Sequence, residues 1–158
     1  MAKNAEAVAT AVDLLRRLSK ATLGTALADG SGPYASLVLF ATDARGAPLL
    51  LLSRLAEHSR NIAADPRVAL LLDGTEGLAE TLTGARLTLL GRIEQAADQA
   101  EARKTYLARH PSAEGYASFG DFALWRIAVA RAHLVAGFGR IVGIDGKTLA
   151  SAFAGKKI

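Results

Sequence analysis

Two short, uninterrupted apolar runs limit what this chain can fold into more than any other feature. They cover residues 49–52, which are four leucines, and residues 68–72, which read Val-Ala-Leu-Leu-Leu. Both are far shorter than the ~20 apolar residues that a membrane-spanning helix requires. They therefore predict β-strands that are apolar on both faces, and no membrane helix. Because the interior of a small barrel can accept only one of these faces, the other must be covered, and we expect an obligate homodimer.

The remaining periodicity predicts a mainly β chain with helices at its margins. Asn4 is the predicted cap of an opening helix that places Val8, Val12 and Leu15 on one side. Hairpin turns rich in Gly and Asp separate the predicted strands, which favours an antiparallel arrangement. The predicted strands cover residues 22–27, 34–41, 48–53, 68–72, 86–94 and 123–136, and the later helices cover 59–64, 98–109 and 147–154. Strands joined in this way predict an α+β, mainly β fold: an antiparallel barrel with flanking helices.

Length and composition indicate one folded domain. The chain has 158 residues, of which 51% are hydrophobic and 22% charged, so it has enough apolar material for a core and is not disordered. We expect a single domain over residues 1–158, with an N-terminal helix within 1–20 and a C-terminal tail at 147–158. The absence of cysteine excludes a disulfide framework, a thiolate-zinc site and a cysteine nucleophile. With charged residues interrupting the N-terminal segment, we expect a cytoplasmic protein.

The positive charge does not have the pattern of a nucleic-acid-binding protein. The formal net charge is +4, but the basic residues are scattered among acids, apart from Arg16-Arg17-Lys20 and the terminal Lys156-Lys157. Aromatic residues make up 6% of the chain and do not interleave with the basic ones. We therefore expect small anionic ligands rather than nucleic acid, and the three widely spaced histidines predict no metal site.

The densest polar segment, Ser53–Asn61, follows the four-leucine strand and opens a helix. A helix N-terminus offers free N–H groups and positive potential, and this segment adds the donors of Arg54 and His58. That combination predicts a phosphate site. The alternative interpretation is an ordinary exposed cap, in which Ser59 or Glu57 finishes the helix and Arg54 pairs with Glu57.

Wider motifs in the chain resemble those of one known family. They are Pro33–Val38, Pro48–Asn61 and Asp65–Val68, followed by Asp121–Arg126 and Gly137–Arg140. Together they resemble the FMN-binding split-barrel family, the fold of the pyridoxamine 5'-phosphate oxidases, and are most similar to its haem-utilisation branch. The resemblance implies a homodimer of split barrels that binds FMN in two clefts at the subunit interface.

The resemblance also implies which side chains contact the cofactor. Ser36 is expected near the isoalloxazine ring, and Ser53 with Arg54 near the ribityl-phosphate chain. His58 stands where the oxidases carry a phosphate-binding lysine. The implied cofactor-binding residues are Ser36, Ser53, Arg54, His58, Asn61 and Arg86. Because Ile127 follows Trp125-Arg126 where the oxidases carry proline, the chain is not expected to be a true pyridoxamine phosphate oxidase.

The leading functional hypothesis from the sequence is therefore an FMN-binding, redox-active flavoprotein with an unknown small-molecule substrate. The alternatives are a haem-binding or haem-degrading protein that uses the same barrel, and a non-catalytic flavin-binding protein. His133 is interpreted as a structural or surface residue and His110 as the residue that ends a helix. On these interpretations flavin is preferred to haem, and any bound haem lacks strong histidine ligation.

Overall fold

One antiparallel sheet dominates the computed structural model, which describes residues 2–155. Its strands are β1 (Lys20–Ala26), β2 (Pro33–Leu39), β3 (Ala41–Thr42), β4 (Pro48–Ser53), β5 (Arg67–Gly74), β6 (Ala85–Gln95), β7 (Phe122–Val135) and β8 (Ile141–Asp145). In the described chain, neighbouring strands follow the order β2-β1-β5-β6-β7-β4-β3, and β8 also pairs with β7. The sheet curls because β7 is long enough to pair with β4 through residues 122–126 and with β8 through residues 131–135.

The helices lie around this curled sheet. They are α1 (Ala2–Arg17), α2 (Glu57–Ala64), α3 (Gln99–Arg109), α4 (Glu114–Ala117) and α5 (Gly146–Phe153), with short 3₁₀ turns at Thr81–Thr83 and Pro111–Ala113. None of the described helices is both long and apolar enough to cross a membrane. The predicted fold class, an antiparallel split barrel with flanking helices, is confirmed.

Two apolar cores explain the four-leucine strand. Leu50 and Leu52 face the interior of the barrel, whereas Leu49 and Leu51 pack in a second cluster with Tyr106 of α3. Both faces of β4 are therefore covered within one chain. The argument that this strand requires a second subunit was wrong, because α3 and the turns after it cover its second face.

In β5, only alternate residues are buried. Val68, Leu70 and Leu72 face the barrel core, while Leu71 on the opposite side is 39% exposed. The prediction of a strand that is apolar on both faces is correct for β5, but its outward face has no cover from the described part of this chain.

The structure differs from the predicted elements at several places. The first helix begins at Ala2, so Asn4 lies within it and is not its cap. The predicted strand 34–41 is broken at Phe40, whose side chain is wholly buried and whose N–H donates to the carbonyl oxygen of Ser19. Strand β8 was not predicted at all. The expected tail helix is confirmed as α5, while Met1 and residues 156–158 lie outside the described residues.

Candidate functional site

The turn between β4 and α2, residues 53–56, is held against the start of β7. Ser53 Oγ donates a 2.8 Å hydrogen bond to the carboxylate of Asp121 and accepts one of 3.1 Å from the N–H of Leu55. The N–H of Arg54 donates to the carbonyl oxygen of Asp121 at 2.8 Å. Ser59 Oγ donates to the carbonyl oxygen of Ser53 at 2.5 Å. These bonds fix the turn, which we call the elbow.

A cavity of about 330 Å³ lies beside the elbow. Its lining includes Arg54, Arg60, Asp121, Phe122, Ala123 and Trp125. The exposed side chain of Arg54 makes no hydrogen bond or ion pair within residues 2–155, whereas Arg60 pairs with Glu57. The expected Arg54–Glu57 pair of the alternative interpretation is therefore wrong. An uncommitted guanidinium beside aromatic side chains suits a flat ligand that carries an anionic group.

His58 points away from this cavity, towards β2. Its Nδ1 lies 3.3 Å from Ser36 Oγ, and its Nε2 is enclosed without a hydrogen-bond partner among the described atoms. Burial lowers the pKa of the His58 ring below its usual value of 6.5, which favours the neutral form of the ring. Ser36 and His58 therefore form a contact pair between β2 and α2.

Asn61 is fully buried and its amide joins α2 to β1. Its side-chain oxygen accepts a 3.0 Å hydrogen bond from the N–H of Ala28, and its nitrogen donates one of 3.0 Å to Thr25 Oγ1. Both ends of the amide are therefore used by the fold. The residue positions α2, and with it the elbow, on the sheet.

Arg86 lies far from the elbow along the sheet. It is the second residue of β6, whereas Gln95 at the other end of that strand pairs with Trp125 beside the cavity. Nine strand positions separate Arg86 from Gln95, roughly 30 Å at about 3.3 Å per residue. Its guanidinium donates to the carbonyl oxygens of Leu82 and Gly84. Within one chain, Arg86 does not join the other predicted site residues.

The six predicted residues thus fall into three places. Ser53 and Arg54 lie at the elbow, Ser36, His58 and Asn61 lie between α2 and the first two strands, and Arg86 lies at the distant end of β6. The residue that the sequence did not assign is Asp121, which holds the elbow. Asp121 stands directly before β7 and opens the Asp121–Arg126 motif. Its contact with Ser53 joins residues that are 68 positions apart in the sequence, so no local sequence pattern indicates it.

A second polar group lies on the side of the sheet that faces away from the barrel core, which we call the outer face. One row of aligned residues crosses it from β2 to β8: Leu37, Thr22, Leu71, Thr88, His133 and Gly143. Two further rows on the same face flank this one, each two residues further along the strands. One contains Leu90 and Arg131, and the other contains Arg86, Val135 and Ile141. Aliphatic, guanidinium and imidazole groups therefore share this face.

The other two histidines have contrasting environments. His110 ends α3, as predicted, and is buried; its Nε2 donates to the carbonyl oxygen of Phe40 at 2.7 Å. His133 is exposed on the outer face, and its ring makes no hydrogen bond or ion pair with any described residue.

Comparison with known proteins gives a family and two informative relatives. A family model described as "CREG, beta-barrel" matches residues 2–150. The chain is 42% identical over 97 residues to a chloroplastic haem oxygenase, HOZ, from Arabidopsis thaliana; the match covers 60% of this chain and 29% of HOZ. A solved structure of a haem-binding protein from Mycobacterium smegmatis is 33% identical with a TM-score of 0.81, covering 89% of this chain and 60% of that one.

A flavin-binding protein of known structure shares the fold at lower identity. This FAD-binding protein from Mesorhizobium loti is 17% identical, with a TM-score of 0.63 over 80% of this chain and 91% of its own. At that identity the likeness concerns the fold alone. The resemblance to the split-barrel family and to its haem-utilisation branch is confirmed, and both HOZ and the M. smegmatis protein are named for haem.

Proposed function

Because the chain belongs to the CREG β-barrel family, and because its match to HOZ reaches 42% identity, we propose that it binds haem. That identity is the observation that carries the proposal, and the haem-binding protein from M. smegmatis supports it independently. The haem alternative from the sequence thus replaces FMN as the leading hypothesis.

The side chains of this chain suit haem. Imidazole is the commonest protein ligand of metals, and the outer face carries the exposed ring of His133. Guanidinium groups pair with carboxylates, and Arg54 and Arg131 are exposed with no side-chain partner in the described chain. Bound haem would supply the redox chemistry of its iron, while the protein supplies position, charge and exclusion of water.

The proposal concerns binding, because this chain covers less than two thirds of the length of either haem-named relative. It spans 29% of the length of HOZ and 60% of the M. smegmatis protein. Haem degradation is a further proposal that the likeness to HOZ suggests. The cytoplasmic location predicted from the sequence stays a prediction, since HOZ is described as chloroplastic.

FMN binding at the elbow is the second candidate function. The observation that favours it is the cavity in which the free guanidinium of Arg54 stands near Trp125. A flavin phosphate would suit that guanidinium, and its ring would suit the aromatic wall. His58 would contribute to FMN binding only if its ring turned from Ser36 towards the cavity.

Absorption spectroscopy separates these two functions. We expect the purified chain, titrated with haemin, to give a shifted Soret band that saturates at a fixed ratio of haemin to protein. The same protein titrated with FMN is the control, read by quenching of flavin fluorescence. Saturable FMN binding together with no Soret shift would contradict haem binding and restore the flavoprotein hypothesis.

A further inference from the structure

We propose that His133 is the axial ligand of the haem iron, in a site on the outer face formed by β6, β7 and β8. The inference rests on the proposed haem binding and adds the residue that holds the iron.

The three histidines differ in whether a nitrogen is available. Nε2 of His110 is committed to the carbonyl oxygen of Phe40, and the ring is buried. Nε2 of His58 has no partner but is enclosed by protein atoms, and its Nδ1 faces Ser36. The ring of His133 is exposed and makes no hydrogen bond or ion pair within residues 2–155. It is therefore the histidine that an external ligand can reach without rearrangement of the chain.

The residues beside His133 leave room for a large ligand. Its aligned neighbours are Thr88 on β6 and Gly143 on β8. A Cβ atom at Gly143 would meet nothing within 4 Å, so the space above this position is open. A glycine at this strand position therefore leaves one side of the imidazole unobstructed, as a bulky planar ligand requires.

The same face offers partners for the two chemical parts of haem. Arg131 precedes His133 by two positions, so both side chains project from the same side of β7, and it is exposed. Its guanidinium suits a propionate. Ile141, which is 64% exposed, and Val135 lie one row away and suit the edge of the macrocycle.

The carboxylates near the site do not neutralise this arrangement. Asp145 is aligned with Arg131, but its side chain accepts the N–H of Lys147 and caps α5. Asp73 is aligned with Arg86, and its carboxylate accepts the N–H and hydroxyl of Thr75. Neither acid forms an ion pair with Arg131 or Arg86 among the described residues.

Haemin titration of single variants tests this assignment. We expect His133→Ala to weaken binding at least about tenfold and to change the Soret position, since even indirect support of a metal ligand is worth roughly 10–100-fold in affinity. Added imidazole should restore the wild-type band in His133→Ala. Arg131→Ala should weaken binding without moving the band, and Arg45→Ala, which removes an exposed arginine elsewhere, should change neither.

The outcomes distinguish the inference from the function on which it rests. If wild type gives no saturable Soret shift, both are overturned. If wild type binds haemin and His133→Ala gives the same spectrum and affinity, or if His58→Ala removes the band instead, only the assignment of His133 is overturned. Far-UV circular dichroism establishes that each variant is folded, and His133→Tyr, which should give a phenolate-ligated spectrum, provides a second readout at the same position.

Discussion

His58 was predicted to share a phosphate with Arg54, and the structure separates them. Helix α2 begins at Glu57, so residues three apart, such as His58 and Asn61, lie on one side of it. That side faces β1 and β2, whereas Arg60 turns towards the cavity. The sequence pattern placed both His58 and Arg54 in one polar segment, Ser53–Asn61. The direction in which each side chain faces depends on where the helix begins. The long-range hydrogen bond between Ser53 and Asp121 helps to fix that starting point.

The burial of His58 predicts how stability depends on pH. Its pKa is lowered in the folded state, so below pH 6.5 the unfolded chain binds a proton that the folded chain resists. The free energy of unfolding should therefore decrease as pH falls through and below 6.5. In His58→Gln, part of this decrease should disappear. Urea unfolding of the ligand-free protein at about pH 7.5 and 5.5, on either side of the unperturbed value, measures the difference.

His133→Gln is the matched control for this experiment. It removes an exposed imidazole, so it separates the loss of a surface histidine from the loss of the enclosed ring of His58. Equal pH dependence in wild type and His58→Gln would show that burial of His58 does not perturb its titration.

Among the secondary-structure elements, those with a clear hydrophobic periodicity or an uninterrupted apolar run were predictable from the sequence. Strands β4 and β5 and helix α3 agree with the predicted segments to within a few residues. Strand β8 was missed because Ile141–Asp145 is short and contains Gly143, and only its pairing with β7 makes it a strand. The break at Phe40 was missed because its cause is burial of that side chain in the barrel. Local sequence does not report such long-range packing.

The β-bulge between β6 and β7 contains a glycine, Gly91, whose role can be tested by substitution. The register shifts at Leu90/Gly91, and a Cβ atom on Gly91 would collide with the carbonyl oxygen of Ala128. Because that atom belongs to the backbone of β7, it cannot move aside cheaply. We expect Gly91→Ala to lower the free energy of unfolding by about 3 kcal/mol, as measured by chemical denaturation.

Gly143→Ala provides the comparison, since its added methyl group would enter open space. Its free energy of unfolding should stay within about 0.5 kcal/mol of wild type. A Gly91→Ala variant as stable as Gly143→Ala would mean that the bulge can relax.

At the scale of the whole molecule, one apolar surface is left without cover. Leu37 is 72% exposed, Leu39 42% and Leu71 39%, and all three lie on the β2-β1-β5 part of the outer face. The small residues Gly24 and Ala69 are aligned with each other on the same part of the outer face. We propose that a second copy of the chain covers it, since clusters of exposed aliphatic side chains mark interaction sites.

The dimer proposal predicts the effect of charge on that surface. Leu37→Lys combined with Leu71→Lys places two ammonium groups on this apolar surface, where a second copy could bury them only at a large cost in hydration. Light scattering should therefore give the mass of a dimer for wild type and of a monomer for the double variant, with an unchanged far-UV spectrum. Leu55→Lys is the control, because Leu55 is 74% exposed at the elbow rather than on the outer face, and this variant should stay dimeric. A wild-type chain that is a stable monomer at micromolar concentration would contradict the proposal, and the exposed leucines would then need another partner.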